Sequence, residues 1–194
     1  MNDLRAAALP SKEQIQALPR FQNLPAQNIQ VIQNLAQCRA IEAELKTAAL
    51  LGFDTESKPT FSKGEIATGP HLIQLATHER AYLFQVSDDI LDFLKPVFAS
   101  RGQIKAGFGL KNDRKMLHKH QLQLEGMFDL SQQFKSFGYR NQVGVQTAVA
   151  LLFQQYLPKS KRVRLSNWSQ QPLSAMQRAY AANDAYAALK VLHA

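Results

Sequence analysis

The chain has 194 residues, of which 45% are hydrophobic and 20% charged, which suits one globular domain with a substantial core and excludes a disordered chain. The formal net charge of +8 predicts attraction to polyanions such as nucleic acid, although a merely basic soluble protein has the same composition. Cys38 is the only cysteine, which excludes an internal disulfide and a thiolate metal cluster. No stretch approaches the roughly 18 uninterrupted apolar residues of a membrane span, so we expect a cytoplasmic protein that does not bind membranes.

Hydrophobic periodicity divides the chain into an extension and a main domain. Residues 1–27 are polar and interrupted by prolines, with a short helix expected over residues 11–18, and the main domain is expected over residues 28–194. Strands are predicted over residues 28–34, 49–57, 72–77, 81–86, 103–109 and 127–130. Helices are predicted over residues 36–48, 88–100, 110–120, 131–137, 145–156, 172–182 and 184–193. Strands come early and helices late, which favours an α/β sheet covered by helices.

Two acidic residues end the buried strand predicted in LGFDTES. Side chains on a strand alternate in direction, so Asp54 and Glu56 project from one face while Thr55 points to the other. Taken singly, each acid is expected as a solvated carboxylate or a helix cap. Paired at the end of an apolar run, they form a candidate site.

Two later segments supply further acidic and phenolic groups. GLKNDRKML places Asp113 early in a helix that directly follows a strand, and YAANDAYAAL places Tyr180 and Asp184 one turn apart on an alanine-rich helix. Several carboxylates without thiolates suit Mg²⁺ or Mn²⁺ better than Zn²⁺ or copper. A divalent cation would also relieve the repulsion between crowded acids.

The order FDTE, GFGLKNDRKML and YAANDAYAAL resembles the three motifs of the DEDD superfamily of 3′-5′ exonucleases. The tyrosine four residues before the last aspartate is typical of the DEDDy branch. Residues 51–192 are similar to the exonuclease domains of the Werner-syndrome and ribonuclease D group, including the flanking LIQLAT and LSNWSQQPLSAMQRAY segments. The resemblance implies a ribonuclease H-like fold, with a mixed five- to six-stranded sheet flanked by helices.

The resemblance also implies roles for the acids and the tyrosine. Asp54 would bridge two divalent metal ions, Glu56 and Asp184 would complete the protein ligands of the first, and Asp113 would hold the second through water. Tyr180 would orient the attacking water. Two cations about 3.5 to 4 Å apart suit an in-line displacement. The implied activity is hydrolysis at the 3′ end of nucleic acid, which releases nucleoside 5′-monophosphates.

Substrate contacts are expected from two sources. Phosphate contacts are predicted for the basic stretch KSKRVR (residues 159–164), and further lysines, Lys105 among them, surround the middle motif. In the family, residues after the first motif and on the LIQL strand line the groove for the terminal nucleotide, although core packing is the favoured interpretation for Leu75. The complete set of substrate-binding candidates is Thr55, Phe61, Gln74, Leu75, Asn112, Lys159, Lys161, Arg162 and Arg164. We interpret Trp168 as structural packing.

The sequence leaves two functions open. One is a metal-dependent exonuclease acting on single-stranded or recessed-end DNA or RNA without an obligate protein partner, and the other is a nucleic-acid-binding module that keeps the fold without turnover. Retention of all four acids and the tyrosine favours the enzyme. The sequence departs from the family pattern at Ser57, where the family often has a tryptophan or another large residue.

Overall fold

The computed structural model describes residues 8–60, 64–66, 68–139 and 141–194. Six strands form one sheet in the order β1-β4-β3-β2-β5-β6. Their bounds are β1 Ile29–Ile32, β2 Leu50–Glu56, β3 Leu72–Ala76, β4 Ala81–Gln85, β5 Ile104–Gly107 and β6 Met127–Asp129. β3 runs antiparallel to both of its neighbours, β2 and β4, and the remaining pairs are parallel. The predicted mixed sheet is therefore confirmed.

Helices follow the strands along the chain and cover the sheet. They are α1 Lys12–Gln16, α2 Leu35–Thr47, α3 Asp88–Ala99, α4 Lys111–Lys119, α5 Val145–Phe153, α6 Lys161–Arg164 and α7 Ala175–Leu192, with 3₁₀ segments at Ala26–Asn28 and Leu130–Phe137. Ser174 caps α7 by accepting from the amide of Gln177, whose side chain accepts in turn from the Ser174 amide. Among the helices of the described part of the chain, none has both the length and the apolar character needed to cross a lipid bilayer.

The sheet has two buried faces with different partners. We call the first the α3 face, where α2 and α3 cover side chains such as Phe53, Ile73 and Leu75. The second is the α7 face, where α7 packs on Leu72, Ala76 and Leu83. The alternation of β-strand side chains assigns neighbouring residues to opposite faces, so β2 and β3 contribute to both.

Close approach of α7 to β2 depends on small residues. A Cβ atom built on Gly52 would lie 1.9 Å from the carbonyl oxygen of Ala185, so a larger side chain would displace the helix. Alanines 181, 182, 185, 187 and 188 of α7 are all fully buried. The helix axis consequently lies directly over the strand that ends in Asp54 and Glu56.

Several predicted elements differ from the observed ones. The two predicted helices over residues 172–182 and 184–193 are one continuous helix, α7, because Asn183 and Asp184 keep helical geometry. Residues 131–137 form 3₁₀ rather than α-helix, ending at Gly138, whose φ is 90°. The first strand begins only at Ile29, because residues 26–28 form a 3₁₀ turn.

The described part of the predicted N-terminal extension packs onto the rest of the chain. The amide of Phe21 donates to the carbonyl oxygen of Tyr156 at 2.8 Å, and the amide of Leu24 donates to the Oδ1 atom of Asn183 at 3.1 Å. Ile15, Phe21 and Leu24 are buried. The extension is therefore fastened to α7, the helix that also carries Tyr180 and Asp184.

Candidate metal centre and active site

Three carboxylates converge where β2 ends beneath α7. Asp54 and Glu56 leave the strand on the α7 face, and Asp184 approaches from the helix above them. One carboxylate oxygen from each lies within 4.8 Å of the others. Asp54 is held from its own strand, because its Oδ1 atom accepts from the amide of Thr55 at 2.9 Å.

Burial and mutual repulsion dominate the electrostatics of this triad. Burial, reinforced by the charge of Asp184, raises the pKa of Asp54 to about 8. Burial, with the charges of Asp54 and Asp184, raises the pKa of Glu56 to about 9. Burial also raises the pKa of Asp184 above its usual range. The ionised triad is unfavourable in the metal-free protein, so it is poised to bind a cation.

The donor atoms fit a hard divalent cation. The triad offers oxygen ligands only, from a rigid strand and a rigid helix, and such sets suit Mg²⁺ or Mn²⁺. The single cysteine, Cys38, is buried in the core of the α3 face, away from this cluster. The residues therefore match the predicted metal class.

Lys159 supplies a positive charge within the cluster. Its Nζ atom lies 2.8 Å from the Oδ2 atom of Asp184 and 5.3 Å from the centroid of the Tyr180 ring. Burial alone would lower the pKa of Lys159, but the charges of Asp184 and Asp54 raise it above its ordinary value. When all three acids are ionised, one ammonium group compensates only part of their charge.

Tyr180 lies one turn before Asp184 on the same face of α7 and lines the groove. Burial, with the charge of Asp184, raises the pKa of its phenol, so the hydroxyl stays protonated near neutral pH. Its ring packs against the fully buried Trp168 at a centroid distance of 5.9 Å. The Trp168 Nε1 atom donates to the carbonyl oxygen of Arg164 at 3.1 Å. Trp168 therefore packs against the Tyr180 ring and holds it in place. This agrees with the interpretation of Trp168 as structural packing.

Asp113 stands beside the triad on α4. Its carboxylate accepts a hydrogen bond from the hydroxyl of Thr55, the strand residue between the two triad acids. Burial raises its pKa, and the hydrogen bond from Thr55 opposes that rise. The groove that contains the triad also has Asp113 in its wall.

Comparison with known proteins identifies the family. The sequence profile described as 3'-5' exonuclease matches residues 29–194. The chain belongs to this 3′-5′ exonuclease family. Over 154 residues it is 31% identical to the mouse bifunctional 3'-5' exonuclease/ATP-dependent helicase WRN, covering 77% of this chain and 11% of that protein. The chain spans half or less of the other curated relatives that it matches.

Solved structures share the exonuclease fold. The Nibbler EXO domain of Aedes aegypti superposes with a TM-score of 0.76 at 22% identity, covering 89% of this chain and 88% of that one. The RNase D of Trypanosoma brucei in complex with RNA U12 superposes with a TM-score of 0.74 at 18% identity, covering 96% of this chain and 65% of that one. The ribonuclease H-like fold class is thereby confirmed.

The substrate-binding candidates of this exonuclease-family chain separate into four groups. Four of them line the groove together with the acids, namely Thr55, Asn112, Lys159 and Arg164. Lys161 and Arg162 lie exposed on α6, outside the residues that line the groove. Phe61 lies outside the described residues.

Gln74 and Leu75 do not reach the groove, which corrects their assignment as substrate contacts. Both are fully buried on β3, Leu75 in the core of the α3 face and Gln74 beneath α7. Lys105 is also fully buried rather than part of a basic surface, and its Nζ atom donates to the carbonyl oxygens of Val97 and Ser100. In each case the side chain belongs to a central strand that helices cover on both faces.

Sequence reasoning missed one acidic residue that supports the site. Asp129, at the end of β6, accepts from the amides of Gly109 and Leu110 at 2.9 and 3.0 Å. These amides directly precede α4, whose N-cap residue Leu110 makes no side-chain cap of its own. Asp129 therefore fixes the start of the helix that carries Asp113. The sequence signal that could have identified Asp129 is its position at the carboxyl end of a short strand.

Apolar residues form the rest of the groove. Phe108 and Met116 line it on the side of α4, and Gly144 and Val145 line it at the start of α5. Ser57, where the sequence departs from the family pattern, also lines the groove, and its hydroxyl lies 3.6 Å from the sulfur of Met116. The groove thus combines the acidic cluster with both polar and apolar lining residues.

Proposed function

We propose that this chain is a divalent-metal-dependent 3′-5′ exonuclease that removes nucleotides one at a time from the 3′ end of single-stranded or recessed-end nucleic acid. The observation that carries the proposal is the convergence of Asp54 and Glu56, both partly buried, with the buried Asp184, and with Tyr180 and Lys159 beside them. A cluster of like charges weakens the fold unless it binds something positive. Membership of the 3′-5′ exonuclease family supports the same conclusion.

Asp54, Glu56 and Asp184 would hold Mg²⁺ or Mn²⁺, and Asp113 would contribute through water. When bound, two such cations activate a water nucleophile and stabilise the charge on the leaving 3′-oxygen. Asp113 is kept in place for this role by the Thr55 hydroxyl and by the turn that Asp129 anchors.

Tyr180 would orient the attacking water through its hydroxyl, which remains a donor because its pKa is raised. The water oxygen forms a bond to the terminal phosphorus while the bond from that phosphorus to the 3′-oxygen of the preceding nucleotide breaks. The products are a nucleoside 5′-monophosphate and a strand with a new 3′-hydroxyl.

Lys159 would exchange partners when substrate and metal bind. In the metal-free chain its ammonium contacts Asp184, and a cation held by the triad would displace it. Lys159 is 26% exposed and lines the groove, so it can turn towards a phosphate oxygen of the substrate. Three further cationic residues follow Lys159 on α6 and would contact phosphates farther along the nucleic-acid strand, namely Lys161, Arg162 and Arg164.

A labelled oligonucleotide tests the proposal. Single-stranded and recessed-end substrates carrying a 5′ label are incubated with the protein in Mg²⁺, in Mn²⁺ or in EDTA. We expect stepwise shortening from the 3′ end with either metal and none in EDTA. Absence of shortening, or shortening that persists in an Asp54→Ala, Asp184→Ala double variant, would refute the enzymatic function. Binding without shortening would support the non-catalytic nucleic-acid-binding alternative.

Matched DNA and RNA strands extend the experiment. The mouse relative is named as an exonuclease joined to a helicase, and the solved RNase D contains RNA. Comparing initial rates on strands of the same sequence assigns the preferred sugar. An equal rate on both would indicate that the groove does not contact the 2′-position productively.

A further inference from the structure

Gln74 is a buried polar residue that the proposed mechanism does not use. It lies in the middle of β3, a strand in which every residue is buried. The side chain of Gln74 is fully buried, and neither its amide nitrogen nor its amide oxygen has a hydrogen-bond partner within the described residues. A buried amide without partners is unfavourable, and leucine would fill the same volume more stably.

The strand register places Gln74 beside Asp54. The two residues are paired across the antiparallel strands β2 and β3, so their side chains project from the same face, with Cβ atoms about 4.5–5.5 Å apart. The partner of Gln74 on its other side, on β4, is the apolar Leu83. Above them lies the alanine-rich surface of α7, including Ala181 and Ala185. Of its two cross-strand partners, only Asp54 can accept or donate a hydrogen bond through its side chain.

The carboxylate of Asp54 has one oxygen available for such a bond. Its Oδ1 atom accepts from the Thr55 amide of the same strand. Within the described residues, Gln74 on β3 makes no hydrogen bond to this carboxylate. A carboxylate that bridges cations needs a fixed orientation, and residues behind metal ligands commonly supply it.

We propose that Gln74 is a positioning residue, whose amide nitrogen donates to the Oδ2 atom of Asp54 and orients that carboxylate when the triad binds a divalent cation. The inference rests on the proposed function of the triad. It replaces direct contact between Gln74 and substrate, which its burial prevents. It also explains why a costly polar side chain stands in an otherwise apolar strand face directly beside the triad.

Substitution of Gln74 by leucine tests the role through three measurements. In EDTA we expect the melting temperature of Gln74→Leu to rise by a few degrees, because a partnerless amide is replaced by an apolar group. In a Mn²⁺ titration followed by melting temperature, we expect the apparent dissociation constant for Mn²⁺ to increase about tenfold or more. With the labelled oligonucleotide, we expect kcat to fall at subsaturating metal while KM for the oligonucleotide is unchanged.

Two further variants make the result decisive. Tyr139→Phe is the matched control, because the Tyr139 hydroxyl is another buried group without a partner among the described residues but belongs to the core around α5. It should raise the melting temperature without changing the Mn²⁺ dissociation constant. Gln74→Met, which keeps the length of the side chain, provides the same test if the leucine variant does not fold.

The outcomes separate this role from the function of the triad. Wild-type affinity for Mn²⁺ and wild-type kcat in both Gln74 variants would overturn the positioning role while leaving the exonuclease proposal intact. A wild-type protein whose melting temperature does not respond to Mn²⁺ and which does not shorten oligonucleotides would instead refute the proposed function itself.

Discussion

The two faces of the central sheet bury charged side chains in different ways. On the α3 face, the ammonium group of Lys105 donates to the carbonyl oxygens of Val97 and Ser100, at 3.0 and 2.8 Å, where α3 ends. The carbonyl end of a helix attracts a cation, so this charge has fixed partners within the fold. On the α7 face, three carboxylates share one ammonium group, that of Lys159.

The pKa values of the buried groups differ between the two faces. Burial lowers the pKa of Lys105 to about 8, while burial and repulsion raise those of Asp54 and Glu56 to about 8 and 9. Each face carries a cost of burial, but only on the α7 face do like charges add to it. A structural charge is matched by the chain itself, whereas the excess negative charge of the triad can be matched by a cation from solution.

Asp54→Asn should have the largest effect, because it removes one carboxylate from the triad. Losing several kcal/mol of transition-state stabilisation corresponds to a decrease in kcat of about 10³-fold. The metal-free protein should be at least as stable as the wild type, since repulsion is relieved. Single-turnover digestion and thermal melting in EDTA measure the two effects. Asp89→Asn, at an exposed residue in the first turn of α3, is the control. It should leave kcat unchanged and lower the melting temperature only slightly, through the lost interaction with the helix dipole.

Lys105→Met removes the buried positive charge on the α3 face and tests whether that charge supports the fold. Removal of the ammonium group leaves the carbonyl oxygens of Val97 and Ser100 without this donor, so we expect a loss of about 1–3 kcal/mol of unfolding free energy. Urea denaturation measures the loss. Because Lys105 lies outside the groove, kcat should remain within twofold of wild type. A large loss of activity at unchanged stability would contradict a purely structural role for the Lys105 ammonium group.

Thr55→Val changes the link between the two faces, because Thr55 bonds Asp113 on α4. The isosteric valine removes the hydroxyl donor, and we expect kcat to fall about tenfold, with little change in affinity for the oligonucleotide. Thr55→Ser keeps a hydroxyl and should retain most of the activity. Steady-state kinetics at saturating Mn²⁺ provide the comparison. Equal activity of the valine and wild-type proteins would show that Asp113 needs no support from β2.

The final prediction concerns how the stability of the protein in EDTA depends on pH. Asp54 and Glu56 titrate near pH 4 when unfolded but at about 8 and 9 when folded, so the folded protein binds more protons between these values. Their contribution to stability is therefore present at pH 4 and lost as pH rises towards 9. We expect the melting temperature in EDTA to decrease over this interval relative to an Asp54→Asn, Glu56→Gln variant. A difference that stays constant with pH would contradict the raised pKa values.

Much of this arrangement could be predicted from the sequence, for a physical reason. The period of two residues in a strand fixes which side chains share a face, so Asp54 and Glu56 could be paired without a structure. Helical periodicity likewise predicted that Tyr180 and Asp184 share one face of a helix. The α/β class followed from the order of the elements, with strands early and helices late. The family resemblance supplied the mixed sheet and the convergence of the three motifs.

Other features depend on contacts between distant segments, which periodicity does not encode. Lys159 was predicted as a phosphate contact, but its present ion pair with Asp184 depends on how the segment before α6 folds over α7. Gln74 and Leu75 were predicted at the groove because the family resemblance places the LIQL strand there, yet both faces of β3 are covered. Asp129 was missed because its partners, Gly109 and Leu110, are some twenty residues away in the chain.

The central claim is that the triad on the α7 face is a divalent-cation site. The most direct measurement is the anomalous scattering of Mn²⁺ in crystals of the protein grown with millimolar MnCl₂ and a nucleoside 5′-monophosphate. We predict an anomalous peak bounded by Asp54, Glu56 and Asp184, with the ammonium group of Lys159 moved away from Asp184. Absence of any peak at the triad, with Lys159 still paired to Asp184, would contradict the account.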